Sequence, residues 1–231
     1  MIAGAIGQTA QILRERIVAI AAHALEASPD DVDLAGGRAT VRGTSTGLSL
    51  AEIASIAYFA PQNLPGDVPA GLEATSRYTA ANAQNWVNAT HVCTCEVDVA
   101  TGAVKLVRYI VSEDCGPMIN PNVVEGQIAG GTVQGIGGVL MEHLSYDPDG
   151  TPTATSFLGY LLPTAVEVPT IEYGHIETHG PNPGGYKGVG EGGAIGAPPA
   201  VVNAVADALA PLGVKITKLP LDPAHVSALL T

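Results

Sequence analysis

Apolar positions recur at helical spacing over residues 8–27, where Ile12, Leu13, Ile17, Ile20, Ala21, Ala24 and Leu25 share a face and Arg14, Glu15 and Arg16 cluster apart from it. Apolar residues at this period, segregated from charge, predict an amphipathic helix. Ser28, Pro29 and Asp30 are expected to end it. The segment from Val32 to Arg42 alternates weakly around Gly36-Gly37, as a short β-hairpin does. A second helix is expected over 49–58, capped by Ser49, before a loop over 61–71 rich in Pro, Gly and Asn.

The period then changes to two. In ATHVCTCEVDVATGAVKLVRYIVSEDCG, one face carries His91, Cys93, Cys95 and Val97 and the other Val92, Thr94 and Glu96, with Ala100-Thr101-Gly102 as the hairpin turn. A glycine-studded apolar segment from Asn120-Pro121 to Glu142 predicts a buried helix, closed by the turn residues Tyr146-Asp147-Pro148-Asp149-Gly150. Residues 171–177 are strand-like, and the Ala/Val-rich run 200–210 predicts a last helix with Pro198-Pro199 at its start. Helices and hairpins without regular strand-helix alternation define an α+β class, with helices packed against β-hairpins.

Composition sharpens this picture. With 46% hydrophobic and only 14% charged residues in 231, the chain has enough apolar surface to offset the entropy of ordering. A formal charge of −12 repels a phosphate backbone, so nucleic acid is not an expected partner. No apolar run approaches the roughly 18 residues of a membrane span, and the start lacks the pattern of a signal peptide, which predicts a cytoplasmic chain with no span. Cys93, Cys95 and Cys115 form neither a disulfide framework nor a two-pair zinc pattern, so reduced structural thiols are expected. His175 and His179 are four apart in a strand-to-loop segment without a His-Glu-x-x-His arrangement, and no metal-ligating set is expected from them.

Glycine is the informative excess, 28 residues against a usual ~7%. One dense group lies within 126–138, inside the expected helix, where each glycine costs about 1 kcal/mol relative to Ala. Close approach of another helix and close approach of a flat ligand both account for it. Gln127 and Gln134, two turns apart, could face one ligand or a solvated helix edge. The second group surrounds a single carboxylate in Lys187-Gly188-Val189-Gly190-Glu191-Gly192-Gly193. Small neighbours let a substrate or cofactor approach Glu191, while an exposed turn accounts for the same pattern. Lys187 could pair with Glu191, meet a phosphate or be solvated.

Two stretches, DCGPMINPNVVEGQIAGGTVQGIGGVLMEHLSYDPDG and GGYKGVGEGGAIGAPPAVVNAVADAL, resemble the C-terminal part of the large subunit of the molybdenum hydroxylases, the xanthine dehydrogenase, aldehyde oxidase and carbon monoxide dehydrogenase family. The opening helix resembles the family helix that follows a Ser/Thr-rich cofactor loop, so the likeness covers nearly all of 1–231. It implies a C-terminal molybdopterin-binding domain portion, completed by another chain or a missing N-terminal segment. It implies that Glu191 is the catalytic base, that Gln127 hydrogen-bonds the pterin, and that Lys187, Gly188, Val189, Gly190 and Gly192 line a cofactor-facing turn. Molybdopterin in its cytosine dinucleotide form, carrying molybdenum, is the implied cofactor, with FAD and 2Fe-2S clusters on partner subunits.

The implied reaction oxidises an electron-poor carbon in an aldehyde, an N-heterocycle or a similar small molecule, or CO. A non-catalytic cofactor-binding or assembly module is the alternative. Tyr186 stands where the family commonly has Ala, and Gly192-Gly193 where it often has Ser-Pro or Pro-Pro, so pocket shape departs from the family pattern. Scarce charge is what a piece covered by partner protein and cofactor would show, and an exposed apolar patch on the chain alone is expected.

Overall fold

The computed structural model describes residues 2–79 and 85–231. The chain divides into two compact units, Met1–Ala81 with Asn182–Gly184, and Asn82–Pro181 with Gly185–Thr231.

In the first unit, α1 (Ile2–Ala24) is followed by a three-stranded antiparallel sheet of β1 (Val32–Ala35), β2 (Arg38–Val41) and β3 (Gly47–Ser49), in that order, and then by α2 (Leu50–Phe59). α1 begins earlier than its amphipathic stretch and stops three residues sooner than expected. Its end is chemical: Glu26 adopts φ 53°, its N–H donates to the His23 carbonyl, and Ala27 N–H reaches back to Ala22, which closes the last turn. The expected hairpin is present, with Leu34 opposite Ala39 across Gly36-Gly37. β3 was not foreseen, being three residues long and opening on glycine. α2 starts on a capping box in which Ser49 Oγ accepts from Glu52 N–H while the Glu52 carboxylate accepts from Ser49 N–H. Ile20, Ala21, Ala22, Val32, Ala39, Ile53 and Ala57 form the core of this unit.

The second unit is built on β4 (Asn88–Val97), β5 (Val104–Asp114) and β6 (Ile171–His175), with α3 (Pro121–Leu140), α4 (Gly192–Leu209) and the short α5 (Pro223–Leu229). β4 and β5 are the expected hairpin, and the face of β4 that carries Cys93, Cys95 and Val97 is the one against the core. β6 pairs parallel to β5, with Val111 opposite Tyr173, so α3 lies in a crossover and not between hairpins. α3 follows the expected span, with Pro121 in its first turn and Asn120 Oδ1 accepting from Val123 N–H.

α4 corrects the sequence reading. It starts at Gly192, directly after Glu191, and Pro198 and Pro199 lie inside it. Its buried stripe Gly193, Ala197, Val201, Val205, Leu209 repeats every four residues. With the turn that follows, Gly192–Leu212 is long and apolar enough to cross a membrane by length and composition. The expectation that no run approaches that length is therefore corrected, although the stripe is packed into the core of this unit.

An exposed apolar patch was expected, and large apolar side chains are exposed. Phe157, Leu158 and Val166 are 76%, 93% and 89% exposed in the irregular segment between α3 and β6.

Candidate functional site

Glu191 is the residue before the first turn of α4, exposed, with no hydrogen bond from its side chain to the helix. Its carbonyl accepts from Ile195 N–H at 2.9 Å, so its backbone is locked to the helix while its carboxyl is free to act elsewhere. The loop that leads into it is pinned at successive residues. Asn85 Nδ2 donates to the Tyr186 carbonyl at 2.6 Å, and Lys187 N–H donates to Cys115 O at 2.9 Å.

The Lys187 ammonium does not reach Glu191 and is not solvated. It donates to Asp114 Oδ2 at 2.7 Å and to Thr178 Oγ1 at 2.5 Å, and the Lys187 and Asp114 side chains are only 6% and 8% exposed. Asp114 also accepts from the Thr178 hydroxyl and, through Oδ1, from the N–H groups of Gly116 and Thr178, each at 3.0 Å. The Lys187 ammonium, then the Thr178 hydroxyl, hold the Asp114 carboxyl well below the usual carboxylate range despite its burial. This is a satisfied buried ion pair that ties the end of β5 to the loop carrying Glu191.

Gln127 is brought to the same place. From the exposed side of α3 its Nε2 points at the Gly190 carbonyl, 3.5 Å away, a long contact. Gly188 and Gly190 are exposed, and Val189 is half-buried against the core. The two sequence motifs, 63 residues apart, thus meet at one point.

The helical glycines divide between two faces of α3. Toward α4, a Cβ on Gly131 would lie 2.7 Å from Ala194 N, and one on Gly135 2.6 Å from the Ala197 methyl, so the backbones meet only because side chains are missing. On the other side Gly126, Gly130 and Gly138 have open space where a Cβ would be, and with Gln127 and Gln134 they form an exposed, nearly bare strip.

Sequence reasoning passed over the buried polar groups beneath α4. Glu113 is 1% exposed and neither carboxyl oxygen has a hydrogen-bond partner; burial pushes its acid up to about 7. The signal was available, because Tyr109, Val111 and Glu113 share the inward phase of β5, and a Glu in an apolar phase calls for a reason. His91 Nε2 and Thr132 Oγ1 are likewise buried without a partner, while His91 Nδ1 is 2.9 Å from the Tyr109 hydroxyl.

The thiols are free, with Cys115 buried and Cys93 and Cys95 half-buried; burial pushes Cys93 up to about 11. His175 and His179 have separate partners, Glu125 at 3.6 Å and Glu177 at 3.3 Å. Among the described residues, no three His, Cys, Asp or Glu side chains come together as a metal site.

With this geometry in place, relatives define the class. The molybdopterin cofactor-binding domain family matches residues 1–169. The chain therefore belongs to that family, and it is similar to part of several molybdenum-enzyme large subunits. It is 42% identical over 225 residues to the nicotine 6-hydroxylase large subunit of Paenarthrobacter nicotinovorans, covering 96% of this chain and 28% of that protein. It is 36% identical over 218 residues to the carbon monoxide dehydrogenase large chain of Hydrogenophaga pseudoflava, covering 94% of this chain and 27% of that protein. Quinoline 2-oxidoreductase from Pseudomonas putida 86 superposes with a TM-score of 0.88 at 41% identity, over 97% of this chain and 29% of that one. The Cu,Mo-CO dehydrogenase in its carbon monoxide reduced state does so at 0.87 and 32%, over 99% and 29%. The chain spans less than a third of the length of these relatives, and its α+β fold is that of the matching part.

Proposed function

We propose that this chain supplies the catalytic carboxylate and one wall of the cofactor site in a molybdenum-dependent oxidoreductase that hydroxylates an electron-poor carbon. The observation that carries this reading is the meeting of Gln127 with Gly190 beside an exposed, uncapped Glu191. The residues fit the cofactor: a glycine strip with open space suits a flat pterin, and Gln127 supplies an amide for it. Since the described residues offer no ligand cluster of their own, a metal here would be carried by the pterin. Molybdenum on a pterin, when bound, supplies the two-electron redox chemistry.

The chain's own part follows from its geometry. Gly188, Gly190 and Gly192 keep side chains away from the turn, Val189 anchors it, and Lys187 holds it through Asp114, so that Lys187 would face a cofactor with its backbone alone. Glu191 then takes a proton during oxygen transfer to substrate, as a general base whose carboxyl has no competing bond to its helix. The cofactor is proposed in its cytosine dinucleotide form, with FAD and 2Fe-2S clusters on partner subunits passing electrons onward. The rest of the molybdenum-binding subunit would cover the exposed Phe157, Leu158 and Val166. The complex is proposed to work in the cytoplasm on an aldehyde, an N-heterocycle or CO.

The test is to assemble the chain with its partners, measure molybdenum and pterin, and assay quinoline, nicotine, an aldehyde and CO with a dye acceptor. Turnover that requires Glu191 supports the reading. Cofactor binding with turnover indifferent to Glu191 would leave the chain a non-catalytic module.

A further inference from the structure

The first turn of α4 rests on an unusual bed. Further along, the buried stripe of α4 is Ala197, Val201, Val205 and Leu209, packed in the apolar core. Beneath the first turn the neighbours are polar. A Cβ on Gly192 would lie 2.5 Å from Glu113 Oε1 and 2.8 Å from its carboxyl carbon, and one on Gly196 would run into the His91 imidazole. Thr132 N lies 2.9 Å from where a Cβ on Gly193 would be. The Glu113 carboxyl thus fills the space that any other residue at 192, the neighbour of Glu191, would need.

We propose that Glu113 is a positioning residue for Glu191: its uncharged carboxyl seats the first turn of α4 from beneath, and ionisation of that carboxyl releases the turn. The inference rests on the reading of Glu191 as the working carboxylate. A neutral acid can be enclosed without partners at moderate cost, whereas an unpaired carboxylate cannot and must recruit water or amide donors. Water reaches Glu113 only when the first turn of α4 lifts, so ionisation favours the state in which the bond from Ile195 N–H to the Glu191 carbonyl is broken.

The neighbours leave this titration to Glu113. From β4, His91 is lowered below its ordinary 6.5 by burial, and so changes charge at lower pH. On β5, Tyr109 is raised by burial, and Asp114 stays charged against Lys187. Cys115 beyond it is raised from 9.0 by burial, then by Glu113 itself. α3 contributes the hydroxyl of Thr132 and, further out, Glu125, which faces His175 of β6; α4 contributes Glu191. Glu113, pushed up to about 7 by burial alone, is the group that titrates around neutral pH.

The experiment is amide hydrogen exchange at Ile195 and Gly196 in the assembled complex, corrected for intrinsic rates, from about pH 4.5 to about pH 8.5. Protection should fall by up to about tenfold per pH unit as pH rises from 4.5 to about 7, and level off above it. In Glu113→Gln, which is isosteric and never charged, it should stay at its low-pH level throughout. In Glu113→Ala it should be reduced at every pH. Protection that is independent of pH in the native protein, or equally pH-dependent in Glu113→Gln, overturns the proposal. So does failure of Glu113→Gln to assemble, because the neutral form is the one the fold should accept. The readout does not use turnover, so an active Glu191→Gln variant would refute the catalytic reading while leaving this exchange result to stand by itself.

Discussion

Lys187 and Asp114 form a buried ion pair, 2.7 Å from Nζ to Oδ2, that fastens the loop bearing Glu191 to the end of β5. The lysine inside the glycine-rich motif is thus a strut, and the motif presents its carboxylate from a pinned backbone.

Lys187→Met should therefore destabilise the protein by ~3–5 kcal/mol at neutral pH, since it strands a buried carboxylate. Asp114 has its folded pKa depressed below the ordinary 3.8, so the pair's contribution is present above that value and is lost as pH falls through the lower, folded one. Denaturant melts of native and variant protein should differ most near neutrality and converge in strong acid. A gap that persists unchanged into acid would refute the ion-pair account.

Glu113, one residue earlier, has the opposite sign. Its folded pKa is raised from 4.5 to about 7, so native stability should decline as pH rises through that interval and level off above it. Glu113→Gln removes the decline and should be the more stable protein above neutral pH, measured as Tm across a pH series. Parallel Tm profiles for the two proteins would contradict this.

The two faces of α3 should respond oppositely to a methyl group. Gly193→Ala on α4 puts a Cβ into the Ile128 carbonyl of α3 and should cost ~1–3 kcal/mol by overpacking. Gly130→Ala enters open space and should gain up to ~1 kcal/mol of helix stability. If the bare strip faces the pterin, Gly130→Ala should nevertheless lower cofactor content in the assembled complex. Unchanged cofactor content with the stability gain would remove the strip from the site.

Much of the fold was readable locally. Ser49 and Glu52 announce α2 by their capping spacing, Gly36-Gly37 announces its hairpin, and the period of two in β4 groups Cys93 and Cys95 on one face, the face that packs on the core. What escaped depends on partners distant in sequence. Lys187 meets Asp114 across 73 residues, and nothing beside either residue marks the other. Pro198-Pro199 suggested a helix start because proline suits first turns, yet Gly192–Leu209 runs through them. The carboxylate at 191 and the amide at 127 were visible as candidates from motif and resemblance. That Gln127 reaches the Gly190 carbonyl, and that Glu113 lies beneath the turn, needed the packing of α3 and β5 against α4.

The central claim is that Glu191 is the base of a molybdenum-dependent reaction, and the most direct measurement is turnover by assembled Glu191→Gln against native complex at equal molybdenum and pterin content. Loss of a positioned general base should lower kcat by ~10²–10⁴-fold with cofactor content unchanged. A variant with full cofactor and near-native kcat would contradict the account.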